Sequence, residues 1–267
     1  MSMLEAIILG LVQGLSEFLP VSSSGNLLLV HHLFGITAED NFTFIIVLNM
    51  GSLLPLLFVF RKEIYELIKK PFQKFTAILL IATVPVIAIT LLFGNFIEAM
   101  FHSIYILPIG FIITGTILII SDKLKKGSKE TKDATWVDAV LIGCAQAIAV
   151  FPGISRSGST ITASLARGLN RENAAKFSFL MSIPTAIGAM LMRTSHLITG
   201  RILIEDLNFL NLAAGFITAA ISGYLAINFM LAIVKKAKLK YFAFFYVFAI
   251  TGFILFDIFV LNSKIFG

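Results

Sequence analysis

A polar interruption near the N-terminus, residues 13–26, reads Gln13-Gly-Leu-Ser-Glu17-Phe-Leu-Pro20-Val-Ser22-Ser23-Ser24-Gly25-Asn26. It divides an apolar segment into two pieces, Met3–Leu19 and Ser22–Phe34, each of which is short for crossing about 30 Å of hydrocarbon. Pro20 ends the first helix because proline cannot continue the backbone hydrogen-bond ladder, and serines are typical of a helix start. The interruption therefore predicts two short helices joined by a tight turn.

A second interruption of the same kind lies 133 residues further along the chain. There Trp136–Phe151 is followed, after Pro152-Gly153, by Ser155–Gly168. Six pairs of residues match at this offset: Gly10/Gly143, Gln13/Gln146, Phe18/Phe151, Ser22/Ser155, Ser24/Ser157 and Gly25/Gly158. Matches of Gly, Gln and Ser are more specific than matches of the abundant Leu or Ile. We therefore interpret the chain as two repeats, roughly residues 1–121 and 134–261.

The rest of the chain is apolar enough for the bilayer to be its solvent. Hydrophobic residues make up 58% and charged residues 13%, against about 45–50% and about 25% in soluble proteins, and the mean hydropathy is +0.94. A single cysteine, Cys144, excludes a disulfide framework. We predict an all-α membrane protein, one integral membrane domain over residues 1–267, with six transmembrane helices: Phe42–Phe60, Phe75–Ile97, Ile104–Ser121, Asn173–Arg193, Leu210–Val234 and Tyr241–Leu261.

The loop charges predict how these segments are arranged. Loops 61–74, 122–135 and 235–240 carry five, five and four basic residues, whereas the other loops hold little beyond Arg201, Glu39, Asp40, Glu205 and Asp206. The three basic loops fall on one side, the cytoplasmic one, if residues 136–168 form a re-entrant hairpin. Three spans then separate the two hairpins, so the second repeat is inverted, and broken helices meet near the midplane. Topology explains the net charge of +6, so we expect no nucleic-acid partner.

The two interruptions carry residues suited to phosphate. Gln13 and Glu17 lie four residues apart and share one helix face. Serines at a helix start combine free backbone N–H groups with hydroxyl donors, and Arg156 in the second interruption can hold phosphate oxygens bidentately. Charges inside a membrane are costly and usually mark functional pathways, so a phosphorylated lipid is the expected ligand. The alternatives are a buried Glu17–Arg156 ion pair that joins the repeats, and serines that only cap their helices.

Two polar residues within predicted spans could be functional or structural. Asn49 lies in the first span and Asp257 in the last. We expect each to find a hydrogen-bond partner rather than to line a cavity.

The paired motifs closely resemble those of the undecaprenyl-diphosphate phosphatase family, the bacitracin-resistance type of integral membrane phosphatase. Its hallmarks are an (E/Q)xxxE motif followed by Pro-x-Ser-Ser-x-Gly-His, and a second motif, PGxSRSxxT. This chain has Gln13-xxx-Glu17 and the complete second motif, Pro152 to Thr160. The resemblance implies removal of the terminal phosphate from undecaprenyl diphosphate, which regenerates the lipid carrier for cell-wall synthesis and gives bacitracin resistance.

The resemblance also implies partners and a location. Mg²⁺ or Ca²⁺ would bind together with the lipid diphosphate, and membrane lipids would surround the protein. The protein would lie in the bacterial inner (cytoplasmic) membrane, with re-entrant hairpins that meet there and a pocket that opens outward. A homodimer is one open oligomeric state.

By the same resemblance, individual residues receive roles. Ser23 takes the nucleophile position, and Glu17 acts as its base or as a metal ligand. Arg156 holds the diphosphate and stabilises charge in the transition state, while Gln13 orients Glu17 or the metal. The remaining expected substrate-binding residues are Ser22, Ser24, Gly25, Asn26, Ser155, Ser157, Gly158 and Thr160.

One residue departs from the family pattern. Where the family has His, this chain has Asn26, which can hydrogen-bond phosphate but cannot exchange a proton near pH 7. The alternative function is therefore a flippase for polyprenyl phosphate, or an anion transporter, that hydrolyses nothing. Inverted repeats favour this alternative by architecture, and Asn26 favours it by chemistry.

Overall fold

The structure is a computed structural model that describes residues 1–34, 42–198, 208–236 and 239–256. Several residues named in the sequence analysis lie outside these ranges, so the predictions about them stay predictions. They are Glu39, Asp40, Arg201, Glu205, Asp206, Lys238, Asp257 and the C-terminal end of the last predicted span.

The described residues form helices and connecting turns, with no β-strand among them. In chain order the helices are α1 (Met3–Phe18), α2 (Ser23–Leu33), α3 (Phe42–Val59), α4 (Arg61–Lys69), α5 (Lys74–Phe101), α6 (Leu107–Lys123), α7 (Trp136–Ile148), α8 (Arg156–Ala166), α9 (Arg171–Ile198), α10 (Phe209–Lys235), α11 (Lys240–Phe242) and α12 (Phe248–Phe256). Short 3₁₀ turns cover Ile104–Ile106 and Thr131–Asp133, and a π-turn, Ala243–Val247, joins α11 to α12.

Both predicted interruptions are helix breaks in the structure. The first separates α1 from α2, and the second separates α7 from α8. α1 begins with a capping box between Ser2 and Glu5, and α7 begins with the same device between Thr135 and Asp138. These caps satisfy backbone N–H groups that a helix start leaves without intrahelical partners.

Several helices have the length and composition of membrane spans. α5, α6 with its preceding 3₁₀ turn, α9 and α10 each qualify within the described residues, and α3 with α4 gives a fifth if that bent pair is one span. Their outer surfaces are apolar: Leu91 and Leu92 are 77% and 76% exposed, as suits side chains that face lipid. The protein is therefore an all-α, multi-pass membrane protein. α4 is a helix that the sequence analysis treated as part of a loop.

The packing of α1 and α7 against longer helices positions the two breaks. α1 lies along α10 and α3, while α7 lies along α5. Both contacts need glycine, since a methyl group at Gly10 would lie 2.5 Å from the Gly215 carbonyl oxygen, and one at Gly143 would lie 2.5 Å from the Ala82 carbonyl oxygen. Such close approach of backbones is a common way for membrane helices to associate.

A charged cluster ties the base of the second helix pair to the preceding loop. The side chain of Asp138, at the start of α7, is 0% exposed and pairs with Arg167 at 2.7 Å and with Lys129 at 3.3 Å. Arg167 follows the end of α8, so this carboxylate joins both ends of the pair.

Candidate active site

The carboxylate of Glu17 is the centre of a polar cluster between the two helix breaks. Its Oε1 accepts a hydrogen bond from Arg156 Nη2 at 2.6 Å. Its Oε2 accepts from Ser23 Oγ at 2.7 Å and from Gln13 Nε2 at 3.2 Å. Four residues predicted to act together therefore meet at one carboxyl group.

The backbone of the two breaks brings these side chains together. Ser157 Oγ donates to the carbonyl oxygen of Leu19 at 3.0 Å, which ties the start of α8 to the end of α1. Gly25 faces the second break so closely that a methyl group there would lie 3.1 Å from the Gly153 α-carbon. Arg156 is the first residue of α8, so its guanidinium reaches Glu17 across this contact.

Gln13 connects the cluster to α3. Its Nε2 donates to Asn49 Oδ1 at 3.0 Å and lies 3.4 Å from Ser52 Oγ. The prediction that Asn49 finds a hydrogen-bond partner is confirmed, and that partner is a site residue. Ser52 was missed by the sequence analysis. The available signal was its spacing of three residues from Asn49, which places both on one face of a helix.

The first turn is held in an unusual backbone conformation. Ser22 has φ +64°, a left-handed conformation that is uncommon for residues other than glycine. Asn26 Nδ2 donates to the carbonyl oxygens of Val21 and Ser22, both at 2.8 Å. Ser22 Oγ accepts from Gly25 N at 3.3 Å. Asn26, which is 4% exposed, therefore braces the turn that carries Ser23.

Hydrogen bonds within the protein also organise the second turn. Ser155 Oγ accepts from Gly158 N at 3.1 Å, and Ser155 N donates to Thr114 Oγ1 at 3.0 Å. Thr160 Oγ1 lies 2.5 Å from Ser178 Oγ. The hydroxyl groups of this second turn support the backbone around Arg156.

Exposure distinguishes the central residues from their supports. The side chains of Glu17 and Arg156 are 20% and 21% exposed, so a ligand can reach them. The supporting residues Gln13, Ser22, Asn26, Ser155, Ser157 and Thr160 are buried. A partly exposed guanidinium can bind a phosphate group. A hydroxyl that is hydrogen-bonded to a carboxylate beside it can act as the nucleophile that accepts the phosphoryl group.

The Glu17 carboxylate could bind Mg²⁺ or Ca²⁺ only in a complex that also contains the substrate. No group of three or more His, Cys, Asp and Glu side chains that could hold a metal occurs in the described part of the chain. Glu17 supplies a carboxylate, and the Gln13 amide nitrogen orients it by donating to Oε2 at 3.2 Å. One carboxylate together with phosphate oxygens is a usual environment for Mg²⁺. The residues present therefore fit a cation whose other ligands come from a diphosphate and water.

Comparison with known proteins decides the family. The family described as "Bacitracin resistance protein BacA" matches residues 6–253, which include both helix breaks. The chain belongs to the BacA family.

Similar proteins extend over nearly the whole chain. An undecaprenyl-diphosphatase of Carboxydothermus hydrogenoformans is 44% identical over 245 residues, which cover 92% of this chain and 94% of the relative. Undecaprenyl-diphosphatase 4 of Bacillus thuringiensis subsp. konkukian is 42% identical over 92% of this chain and 93% of its own length. An undecaprenyl-diphosphatase of Halothermothrix orenii is 40% identical, with 92% and 94% covered. The family resemblance that the motifs indicated is therefore confirmed over nearly the whole chain.

Proposed function

We propose that this protein is an integral membrane phosphatase that hydrolyses undecaprenyl diphosphate to undecaprenyl phosphate, the lipid carrier of cell-wall synthesis. The observation that carries the proposal is the single carboxylate, Glu17, which binds both Ser23 Oγ and Arg156 Nη2. In a BacA-family chain this arrangement supplies a nucleophile, a proton acceptor and a phosphate-binding cation. Relatives named undecaprenyl-diphosphatase support the same substrate.

The first step transfers the terminal phosphoryl group to Ser23. Glu17 Oε2, 2.7 Å from Ser23 Oγ, accepts the hydroxyl proton as the oxygen bonds to the terminal phosphorus. The bond from that phosphorus to the bridging oxygen breaks, and undecaprenyl phosphate leaves with the bridging oxygen. Arg156 exchanges the carboxylate for the phosphate oxygens and stabilises their charge during transfer.

The second step releases inorganic phosphate. Once Glu17 has passed its proton to solvent, its carboxylate accepts a proton from a water molecule that attacks the phosphoserine phosphorus. The Ser23–phosphorus bond breaks, and Ser23 Oγ recovers a proton. Gln13 keeps the carboxylate in place through its hydrogen bond to Oε2. Ser22, Ser24, Gly25, Asn26, Ser155, Ser157, Gly158 and Thr160 shape the two turns that receive the diphosphate.

Glu17, with Gln13 beside it, would hold Mg²⁺ or Ca²⁺ when the diphosphate is bound. When bound, the cation neutralises charge on the phosphate oxygens. The chain itself contributes the carboxylate oxygens of Glu17. Gln13, on the same helix, is held by its contacts with Asn49 and Ser52.

The membrane arrangement in the proposal has six spans and two re-entrant hairpins in inverted repeats. Contacts at the 133-residue offset support it. Gln13 reaches Ser52 and Gln146 reaches Thr185, and these residues correspond to one another by number. Gly10 approaches Gly215 as Gly143 approaches Ala82, again at the same offset. The helix of each repeat that carries the Gln thus packs against a helix of the other repeat.

The orientation follows from the loop charges. The Lys-rich loops face the cytoplasm of a bacterium, across its inner membrane, and the pocket opens outward. A homodimer stays a prediction.

Phosphate release from undecaprenyl diphosphate, by the purified protein in detergent with Mg²⁺, tests the function. We expect release by the native chain and none by Ser23→Ala. Ser16→Ala is the matched control, because among the described residues the Ser16 hydroxyl donates only to the Val12 carbonyl oxygen of its own helix.

Transport without hydrolysis is the alternative, and the names of the relatives give it no support. If the native protein releases no phosphate but moves a lipid phosphate across a liposome membrane, the protein is a transporter and not a phosphatase.

A further inference from the structure

A short helix, α4, leaves the end of α3 at a sharp angle. α3 is apolar and ends at Val59, and α4, Arg61–Lys69, is bent by 82° from it. α5 then begins at Lys74 and returns as an apolar helix of spanning length. A helix nearly perpendicular to a membrane-crossing neighbour lies along the membrane surface. α4 and the turn up to Gln73 therefore belong to the interface between headgroups and hydrocarbon.

Apolar side chains of this segment point away from the protein. Ile64 and Leu67 pack against the main core, whereas Tyr65, Ile68 and Phe72 are 64%, 72% and 101% exposed. Large exposed apolar side chains flanked by charges are typical of helices whose outer face enters the headgroup region. Such side chains have no favourable place in water, so a lipid surface explains their exposure.

The same segment is basic. Lys62, Lys69 and Lys70 line a cleft of about 530 Å³ together with Tyr65, Glu66 and Gln73. None of these three lysines forms an ion pair within the described ranges. Glu63, the other acid of α4, is occupied by Lys176 at 2.7 Å. The lining of the cleft therefore includes three lysines and one carboxylate, Glu66.

We infer that α4 and the following turn bind the phosphate headgroup of an anionic phospholipid. The lysine ammonium groups supply charge-assisted donors to the headgroup phosphate, and the Ile68 and Phe72 side chains enter the acyl region beside it. A zwitterionic lipid offers the cleft no net charge, so anionic lipids are preferred. The site is separate from the Glu17 cluster and does not depend on the proposed phosphatase activity.

The test measures lipids bound to the purified full-length protein by native mass spectrometry. The protein is offered equal amounts of phosphatidylglycerol and phosphatidylcholine with identical acyl chains. We expect phosphatidylglycerol to be retained in preference. Each lysine removed should weaken its binding by roughly fivefold, so the triple variant Lys62→Gln/Lys69→Gln/Lys70→Gln should lose roughly a hundredfold if the three act independently.

The matched control removes the same number of charges elsewhere. Lys123, Lys125 and Lys126 are exposed and form no ion pair within the described residues. Lys123→Gln/Lys125→Gln/Lys126→Gln should retain phosphatidylglycerol like the native chain. A second variant, Ile68→Ser/Phe72→Ser, keeps the charge and should also weaken retention.

Three results would overturn the inference. Equal loss in both triple variants would mean that only net charge matters, and no loss in either would mean that the cleft binds no lipid. Stoichiometric capture of a soluble acidic peptide in place of phosphatidylglycerol would make the surface a protein-binding site instead.

Discussion

Ser23 and Arg156 occupy equivalent positions of the two helix breaks, 133 residues apart, and both bind the carboxylate of Glu17. The distances are 2.7 Å from Ser23 Oγ and 2.6 Å from Arg156 Nη2. The position that carries a hydroxyl in the first break carries a guanidinium in the second, so the two breaks supply different chemical groups to one carboxylate.

Arg156 should not be replaceable by lysine. Arg156→Lys keeps the charge but loses the planar fork that holds two phosphate oxygens, so phosphate release should fall about 10²–10³-fold. The measurement is initial phosphate release at equal protein concentration, with Arg167→Lys as the matched control outside the site. Near-native activity of Arg156→Lys would reassign the residue to an ion pair that only joins the repeats.

Asn26 should have a structural role that histidine can partly retain. Asn26→Leu removes the donor to the Val21 and Ser22 carbonyl oxygens and should lower the free energy of unfolding by about 1–3 kcal/mol. Asn26→His keeps one N–H donor and adds a group that titrates near pH ~6.5, so turnover should rise, by up to about 10²-fold. Thermal melting and phosphate release from pH 5.5 to 8 check both. An Asn26→His variant without a new pH dependence would show that this position does not face the reacting phosphate.

The glycine contacts between α1 and α10 and between α5 and α7 should be sensitive to a single methyl group. Gly10→Ala and Gly143→Ala should each lower the melting temperature, because the added methyl would lie 2.5 Å from a backbone carbonyl oxygen. Gly188→Ala is the matched control, since within the described residues nothing beyond its own stretch of helix lies within 4 Å of a methyl group there. Alanine favours a helix by up to about 1 kcal/mol over glycine, so Gly188→Ala should be neutral or stabilising. Equal effects at all three positions would contradict the close packing.

The buried carboxylate of Asp138 should matter more than an exposed one nearby. Asp138→Asn leaves Arg167 and Lys129 without their shared charge partner and should cost about 1–3 kcal/mol of unfolding free energy, because the two cations are 36% and 37% exposed and stay solvated. Glu130→Gln breaks the exposed pair with Lys132 and should cost less than about 1 kcal/mol. Denaturant unfolding of both variants provides the comparison, and similar costs would argue against a structural lock at the base of α7 and α8.

The topology can be read by cysteine labelling of intact cells. Starting from Cys144→Ser, single cysteines in loops 61–74, 122–135 and 235–240 should resist a membrane-impermeant reagent, and one at Ser103 should react. The reason is the excess of basic residues in the first three loops. Labelling of any Lys-rich loop from outside would contradict the predicted cytoplasmic location of these loops.

Most of the long helices and both breaks could be predicted from the sequence alone. Long apolar stretches predicted α5, α9 and α10 to within a few residues of the bounds observed, because burial in lipid and the helical rise fix the length of a span. Pro20 and the serines that follow predicted the end of α1 and the start of α2, since proline and serine act on the backbone locally. The motifs also predicted that Gln13, Glu17, Ser23 and Arg156 act together, and charged residues such as Glu17 and Arg156 are rare inside a membrane.

The contacts between side chains that are distant in sequence depend on the tertiary packing of the helices. The contact from Glu17 to Arg156 spans 139 residues, and it exists because α1 packs on α10 while α7 packs on α5. Asn49 and Ser52 join Gln13 for the same reason. The helix α4 was hidden because its charges resembled those of a loop. Local patterns fix where helices begin and end, whereas the choice of neighbours depends on shape, such as the missing side chain of Gly10 that lets two backbones touch.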